Sequence, residues 1–156
     1  DEQKVAFGIF QAAEMDYTLA VRHFIEHKGK TATAVDRNGW PLLHRAVSGG
    51  SLKTVKYLLE EKRVNVNQRD NNGQTALFKS VSSNKLNIFS YLLEKRFANF
   101  EITDNDGRTS LHEAALRGHL DMVEALVKKG GNIHAKDSSG KSALFYTFER
   151  LKAGVI

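Results

Sequence analysis

A four-residue turn pattern recurs along this chain at a nearly constant interval, and it limits the fold more than any other feature. Tetrads of the form Asp–x–x–Gly end at Gly39, Gly73, Gly107 and Gly140, so successive tetrads lie 34, 34 and 33 residues apart. A leucine follows each tetrad at the same offset. Periods of about 20–50 residues are typical of proteins that stack one small supersecondary unit on the next. The sequence therefore predicts a repeat architecture.

Each period predicts a turn, a short helix, a reversal and a longer helix. Asp and Gly favour the turn because Asp accepts hydrogen bonds from nearby backbone amides and Gly tolerates positive φ. Hydroxyl residues suited to capping the short helix follow three of the tetrads, at Thr75, Thr109 and Ser142. Residues that tolerate the left-handed conformation at a helix end recur at intervals of 34, at Gly50, Asn84 and Gly118.

The longer helix of each period carries an apolar stripe with helical spacing. Its members stand at i, i+3, i+6 and i+7: Leu52, Val55, Leu58 and Leu59; Leu86, Phe89, Leu92 and Leu93; and Leu120, Val123, Leu126 and Val127. A stripe of this kind faces a neighbouring element, while Lys, Glu and Asp occupy the opposite side. We therefore expect every helix pair to bury its apolar surface only against its neighbours.

The stretch DNDGRTSLHEAALRGHLDMVEALV, residues 104–127, resembles an ankyrin repeat almost residue for residue. The same pattern begins at Asp36 and at Asp70, and its first half begins at Asp137. The resemblance implies an all-α ankyrin-repeat solenoid of about four to five stacked repeats with β-turn tips. It implies one domain over residues 1–156, divided into a degenerate capping repeat (4–35), three repeats (36–69, 70–103 and 104–136) and a truncated C-terminal repeat (137–156).

Two departures from the family pattern carry structural expectations. The family's histidine is present as His44 and His112 but is replaced by Phe78 and Phe145 in the other two repeats. The hydrogen bond that this histidine makes should therefore be lost in those two repeats. The repeats 36–69 and 70–103 each hold one extra residue, near 60–64 and 94–98. We expect this residue to lengthen the return loop of each of these repeats.

The composition excludes several kinds of site. The absence of cysteine removes disulfides, thiolate zinc sites and thiol nucleophiles. No run of about 18 apolar residues predicts a membrane span, and the first residues lack the layout of a secretory signal. We expect an intracellular protein, cytoplasmic or nuclear, and the missing initiating methionine predicts a piece of a longer protein.

Three short motifs imitate catalytic or ligand sites, and the repeat explains each of them better. Gly140-Lys-Ser ends like a phosphate-binding loop, but Ala135 stands where that loop needs glycine. The turn at 104–107 imitates a calcium loop, but Ile102 occupies the first ligand position. His112-Glu imitates a zinc-protease helix whose second histidine would be Leu116. We predict no catalytic residues, cofactor or metal, and hence a protein that is not an enzyme.

We call the short helix of each repeat its first helix and the longer one its second helix. The resemblance places a partner site on the turn tips and on the exposed side of the first helices, which together form a concave groove in ankyrin proteins. The candidate partner-binding residues are Arg37, Asn38, Trp40, Arg45, Arg69, Asn72, Gln74, Lys79, Ser82, Arg108, Glu113, Leu116, Arg117, Lys141, Tyr146 and Arg150. Trp40 is notable because a tryptophan on a tip has no core to fill, and tryptophan is enriched in binding hot spots. The alternative is that Trp40 packs locally.

The charge of the predicted groove favours an acidic or phosphorylated partner. With the tetrad aspartates set aside as structural, the turn tips and first helices hold nine basic residues (Arg37, Arg45, Arg69, Lys79, Arg108, Arg117, Lys136, Lys141 and Arg150) and four acidic ones (Glu14, Asp106, Glu113 and Glu149). The difference of +5 equals the net charge of the whole chain. Cationic surfaces complement carboxylates and phosphates. The alternative is a merely solvated surface.

The sequence thus favours a monomeric, non-enzymatic protein-binding module, and it leaves two alternatives open. The first is a module that binds nucleic acid or phosphoinositide headgroups through cations of the second helices: Lys53, Lys56, Lys62, Arg63, Lys128 and Lys129. Nucleic acid is the less favoured ligand because the net charge of +5 is modest for 156 residues. The second is a targeting or autoinhibitory arm of a larger enzyme.

Overall fold

The computed structural model describes residues 7–155. Its internal contacts divide the chain into two units, with the boundary between Asn65 and Val66. The first three residues of the predicted capping repeat, 4–6, and Ile156 lie outside the described residues. Within residues 7–155 the regular structure is helical, and strand pairing is limited to two isolated antiparallel bridges, Val35–Pro41 and Lys136–Ser142. Each bridge closes the base of a tetrad turn. The predicted all-α class is confirmed.

The first unit contains two helix pairs. Its α-helices are α1 (Ile9–Glu14), α2 (Thr18–His27), α3 (Leu42–Gly49) and α4 (Leu52–Lys56). Helix α1 packs along α3, and α2 packs against α4, so the degenerate repeat stacks on the first regular repeat. Small side chains allow this approach, because Ala12, Ala13 and Ala46 are fully buried between the helices.

The second unit stacks three first helices side by side. Its α-helices are α5 (Ala76–Ser82), α6 (Leu86–Ser90), α7 (Ser110–Arg117), α8 (Leu120–Lys128) and α9 (Ala143–Lys152). Helix α7 lies at the centre of the unit, where it contacts α5, α8 and α9. The turn tips at 70–74, 104–108 and 137–141 precede α5, α7 and α9 and so belong to the same face of this unit.

The capping and reversal residues act as the sequence predicts. The hydroxyls of Thr75, Thr109 and Ser142 accept hydrogen bonds from backbone amides three residues later, at 3.2, 3.4 and 3.3 Å. Gly50, Asn84 and Gly118 hold the left-handed conformation at the reversals, with φ of 76°, 53° and 73°. Local turn chemistry therefore sets the boundaries of the first helices.

The apolar stripe of the second helices is narrower than predicted. Val55, Leu58 and Leu59 of the first unit are buried, as are Phe89, Leu92, Leu93 and Leu126 of the second. Leu86 and Leu120, the first members of their stripes, are more than 40% exposed. In the third stripe Val127 is 44% exposed and Val123 is half-buried, so the buried side is complete at i+3, i+6 and i+7 only in the first two stripes.

The prediction that the extra residue of two repeats would lengthen their return loops is wrong. The extra residue is instead absorbed by a π-helical turn that continues the second helix, at Tyr57–Glu61 after α4 and at Tyr91–Lys95 after α6. The amide of Lys62 donates to the carbonyl of Tyr57 at 3.2 Å, which is the five-residue step of a π turn. The buried leucines Leu58, Leu59, Leu92 and Leu93 lie within these two π turns.

Candidate functional site

The tetrad aspartates build all four turn tips in the same way. One carboxylate oxygen accepts hydrogen bonds from the amides two and four residues later, at 2.8–3.0 Å. In the first tip these amides belong to Asn38 and Trp40, both predicted site residues. Because each carboxylate satisfies two amides, the backbone of the tip is held rigidly and its side chains are presented at defined positions.

The residue nine positions after each tetrad aspartate is the second element of this arrangement. In three repeats its polar group lies near the other carboxylate oxygen: Arg45 Nε is 2.6 Å from Asp36, Lys79 Nζ is 3.9 Å from Asp70, and Tyr146 OH donates to Asp137. In the remaining repeat the position holds Glu113, which is buried and pairs with Arg117. Arg45, Lys79 and Tyr146 therefore have structural partners within their own repeats.

These contacts hold the carboxyl groups in their charged form. Burial alone would raise the pKa of Asp36, but hydrogen bonds from the Trp40 amide and from Arg45 outweigh it, so the pKa lies below its ordinary value. Burial alone would also raise the pKa of Asp137. The hydrogen bond from Tyr146 opposes burial, and the pKa of this carboxyl lies below its ordinary value. Burial and the same bond raise the pKa of the Tyr146 hydroxyl.

The tetrad aspartates contribute to the charge of the predicted groove. The four tetrad aspartates cannot be set aside, since three of them lie within 4 Å of groove cations: Asp36 of Arg45, Asp70 of Lys79, and Asp137 of Arg108 at 3.7 Å. With them the predicted groove holds nine basic and eight acidic residues. The fixed nine-residue spacing is visible in the sequence and could have revealed the pairing of Arg45 and Lys79.

Trp40 contacts its own repeat. Its side chain is half-buried, and the guanidinium carbon of Arg45 lies 4.4 Å from the centroid of its ring. A guanidinium over an indole face is a favourable cation–π arrangement. Trp40 thus has a packing partner within its own repeat, and contact between Trp40 and a partner protein stays a prediction.

Hydrogen bonds join the three tips of the second unit into one row. The Asn105 amide donates to the carbonyl of Asn72 and the Ser138 amide donates to that of Asp106, both at 2.9 Å. Arg69 adds a link from its guanidinium to the Thr103 carbonyl at 2.9 Å. Since the backbones are tied at this spacing, the exposed side chains of adjacent tips keep fixed distances from one another.

A histidine ties the last two repeats of this unit together. The Thr109 amide donates to Nδ1 of His112 at 3.1 Å, which places the ring proton on Nε2. Nε2 lies 3.1 Å from the carbonyl of Lys141 and donates to it. The predicted structural role of His112 is confirmed, and Phe145 at the matching position of the next repeat has no group that could make this bond.

Comparison with known families identifies the architecture. A family model described as ankyrin repeats (3 copies) matches residues 9–104, 62–137 and 96–150. The chain belongs to the ankyrin repeat family. A search of curated proteins found no match. Ankyrin repeats are generally protein–protein interaction modules, and the described part of this chain has no helix long and apolar enough to cross a bilayer.

The sixteen predicted site residues lie in both units of the ankyrin domain. Some of them are exposed, some half-buried and some buried. Four lie in the first unit (Arg37, Asn38, Trp40 and Arg45) and the other twelve lie in the second. The exposed members are Arg37, Asn38, Arg69, Asn72, Arg117 and Lys141. The half-buried members are Trp40, Arg45, Gln74, Ser82, Arg108, Leu116 and Arg150. The buried members are Lys79, Glu113 and Tyr146.

Several of these residues form hydrogen bonds within an ankyrin repeat or between two of them. Lys79 Nζ donates to the Gln74 side chain at 2.9 Å, and Ser82 donates to the carbonyl of Lys79 at 3.1 Å. The Arg150 guanidinium donates to the Leu116 carbonyl at 3.0 Å, so α9 satisfies the C-terminal end of α7. The exposed residues of the second-unit tips include Asn71, Asn72, Asn105, Ser138 and Ser139 beside the charged Asp106 and Lys141, and Arg117 is exposed on α7.

Three of the six cations of the anionic-ligand alternative are paired with carboxylates. Lys62 lies 3.4 Å from Glu26, Lys128 lies 2.9 Å from Glu124, and Lys129 lies 2.8 Å from Glu94. A phosphate would have to compete with these carboxylates for three of the six cations. Among residues 7–155, no group of three His, Asp or Glu side chains has the arrangement of a metal site.

Proposed function

We propose that this ankyrin domain is a non-enzymatic protein-binding module whose partner lies on the tip face of the second unit. By tip face we mean the turn residues 71–74, 105–108 and 138–141 together with Arg117. The observation that supports this is the hydrogen-bonded row of tips, in which Asn105 and Ser138 tie each turn to the one before. A preordered row of this kind binds a partner without the entropic cost of ordering loops.

The chemistry of the tip face suits a partner that forms hydrogen bonds with neutral groups. Its exposed turn side chains include Asn71, Asn72, Asn105, Ser138 and Ser139, which donate and accept hydrogen bonds without carrying charge. The nearly balanced charge of the tips and first helices gives little reason for a strongly acidic or phosphorylated partner here. A polar peptide or loop of a partner protein fits this surface better.

A bulky side chain on one tip tests this proposal. Asn72 is exposed, and only its backbone takes part in the row of tips, so Asn72→Trp should block the tip face and leave the fold intact. Asn87→Trp is the matched control, because Asn87 is exposed on α6, away from the tips. We expect proteins that are retained by the wild type and by Asn87→Trp to be lost from Asn72→Trp, as measured by affinity purification with quantitative mass spectrometry.

Direct titration of the purified partner completes the test. We expect Asn72→Trp to weaken binding at least about tenfold, because steric exclusion from the centre of an interface removes several contacts at once. A partner that binds all three proteins equally well would place the binding site elsewhere.

A role as a targeting or autoinhibitory arm of a larger enzyme would use the same kind of binding and stays a prediction. The intracellular location also stays a prediction.

A further inference from the structure

Helix α2 exposes two histidines that do not stand at the repeat position of His44 and His112. His23 and His27 lie four residues apart, and both are exposed. Residues at this spacing lie one above the other on the same face of a helix. The ring centroids of the two side chains are 5.2 Å apart, and the ring planes are inclined by 39°. The two imidazoles therefore meet in space, and we call them the α2 histidine pair.

The nitrogen atoms of this pair have no competing partner. Within residues 7–155, neither side chain takes part in a hydrogen bond or an ion pair, and their ring contacts are with each other and with Phe24. His112 differs from them, because both of its ring nitrogens form hydrogen bonds. Neutral imidazole is the commonest metal ligand of proteins, and it suits Zn²⁺. Both members of the pair are therefore available as ligands.

The separation of the two rings suits one zinc ion that is bound by both. Zn²⁺ is held by histidine nitrogen at about 2.0–2.1 Å, usually with tetrahedral geometry. Two imidazoles that meet a tetrahedral ion at this distance have ring centroids about 5 Å apart. The 5.2 Å between the rings of His23 and His27 agrees with this separation. A zinc ion can thus bridge one turn of α2 with the helix as it stands.

The charges beside the pair are nearly balanced. Arg22 pairs with Glu61 at 2.8 Å, and Lys62 pairs with Glu26 at 3.4 Å. The exposed lysine that follows α2 adds one positive charge. Against it, His27 is the last residue of α2, where the helix dipole favours a cation.

Helix α2 has little buried surface of its own to hold it. Among its ten residues Val21 alone is buried. Most helical stability in proteins comes from the packing of an apolar face, so a helix with one buried residue depends more on local interactions than its neighbours do. A metal ion that binds two side chains of the folded helix, and binds the unfolded chain less well, stabilises the fold.

We propose that the α2 histidine pair binds one zinc ion, which stabilises the end of the capping repeat. His23 and His27 supply two ligands, and water fills the other two positions of the ion. Two ligands are fewer than the three-residue group that the described part of the chain lacks. The sequence predicted no metal because its motifs lack complete ligand sets, and the contact between these two rings is what the structure adds.

Titration with zinc chloride tests this proposal. We expect the whole chain, first treated with a chelator, to bind one Zn²⁺ in isothermal titration calorimetry. His23→Ala and His27→Ala should each weaken this binding at least about tenfold, because the second ligand of a chelate binds at a high effective concentration. His134→Ala removes an exposed histidine of the second unit and should change nothing. Mg²⁺, which prefers oxygen ligands, should not bind the pair.

A change of spacing provides the matched control. The double variant His27→Ala/Lys28→His keeps the number of histidines but places them five residues apart, on different faces of the helix. Lys28 is the exposed C-cap residue of α2, so the exchange also removes the nearby positive charge. Zinc binding should nevertheless be as weak as in His27→Ala.

Thermal unfolding and hydrogen exchange give a second readout. Zn²⁺ should raise the unfolding midpoint of the wild type and the protection of its α2 amides, and it should do neither in His23→Ala/His27→Ala. The metal-free variants should keep the circular dichroism of the wild type, since both side chains are exposed. Asn72→Trp should bind zinc as tightly as the wild type, so this proposal and that of the tip face can fail separately.

Three results would overturn the proposal. Equal zinc binding by the wild type and His23→Ala/His27→Ala would place the ion elsewhere. Equally tight binding by His27→Ala/Lys28→His would mean that single imidazoles bind zinc independently, without chelation. Zinc binding that leaves the protection of the α2 amides unchanged would remove the stabilising role.

Discussion

The position nine residues after each tetrad aspartate shows how one geometric site accepts different chemistry. Arg45 and Lys79 bring a cation to the carboxylate, while Tyr146 brings a neutral hydroxyl. Arg45 and Tyr146 each donate a hydrogen bond to the second carboxylate oxygen, whereas Lys79 stays 3.9 Å from that of Asp70 and offers it charge alone. Glu113 is the exception, and it turns toward Arg117 instead.

Removing the hydroxyl of Tyr146 should destabilise the second unit in a pH-dependent way. A hydrogen bond to a buried charged group contributes about 1.5–3 kcal/mol, so we expect Tyr146→Phe to lower the free energy of unfolding by that amount at neutral pH. Urea denaturation of both proteins measures the difference. Tyr17→Phe, at an exposed tyrosine of the first unit, is the matched control and should cost little.

The sign of the pH dependence follows from the carboxyl group. The folded pKa of Asp137 lies below its ordinary value of 3.8, so the stability it contributes is fully present above that value and is lost as the pH falls through the folded pKa. Because the hydrogen bond from Tyr146 lowers this pKa, Tyr146→Phe should raise it. The difference between wild type and variant should therefore shrink in acid, and a constant difference from neutral to strongly acid solution would contradict this account.

At the scale of helices, the packing of α1 on α3 depends on the absence of a side chain at Gly49. A Cβ built on Gly49 would lie 2.0 Å from the carbonyl oxygen of Glu14, which belongs to the backbone at the end of α1. The Ser51 hydroxyl donates to the same oxygen at 2.9 Å. The close approach therefore brings the end of α1 within hydrogen-bonding distance of the reversal after α3.

Gly49→Ala should destabilise the first unit although alanine is the better helix former. Helix propensity favours the change by roughly 1 kcal/mol, but overpacking against a backbone carbonyl costs about 1–3 kcal/mol, and the Glu14–Ser51 contact is lost as well. We expect a net loss of stability in chemical denaturation. Ser48→Ala, one residue earlier in the same helix, controls for propensity alone. Stabilisation by Gly49→Ala would show that α1 can move away without cost.

The two π-helical turns also belong to this scale. Both follow helices of repeats with one extra residue, and each is followed by a non-glycine residue in the left-handed region, Arg63 with φ of 53° and Phe97 with φ of 51°. The repeat without the extra residue has Gly130 at this place, with φ of 94°. The backbone thus returns by the same left-handed step in all three repeats.

At the scale of the whole molecule, stability should spread along the stack of repeats within a unit. Helix α8 packs on α7, which contacts α5 and α9, so damage to one helix removes support from its neighbours. We expect Leu126→Asp, which buries an unpaired charge at a fully buried position, to cost more than about 3 kcal/mol.

Hydrogen exchange distinguishes local from cooperative loss in this variant. Amides of α7 and α9 should lose protection together with those of α8. Leu120→Asp makes the same change at a half-exposed residue of the same helix and should leave exchange nearly unchanged. Loss of protection confined to α8 in Leu126→Asp would mean that the repeats of this unit unfold independently.

The sequence alone determined the period, the boundaries of the first helices α3, α5 and α7, the family and the capping chemistry. These features depend on local rules, because a hydroxyl before a helix or a glycine after it acts through bonds to residues three or four positions away. The structural role of His112 was also predicted from its place in the repeat. The extra residues near 60 and 94 were visible, but not whether a loop or a helix would absorb them.

Only the tertiary structure decided which charges are available on the surface and which apolar residues lack a partner. The tetrad aspartates neutralise cations that the sequence places in the groove, since burial brings Asp36 and Arg45 into direct contact. Trp40 gains a packing partner by the same contact. Leu144 and Phe148 continue a repeat pattern whose other members are buried, and yet they are exposed. A periodic sequence specifies the unit, whereas burial of a side chain depends on which neighbour the stack places beside it.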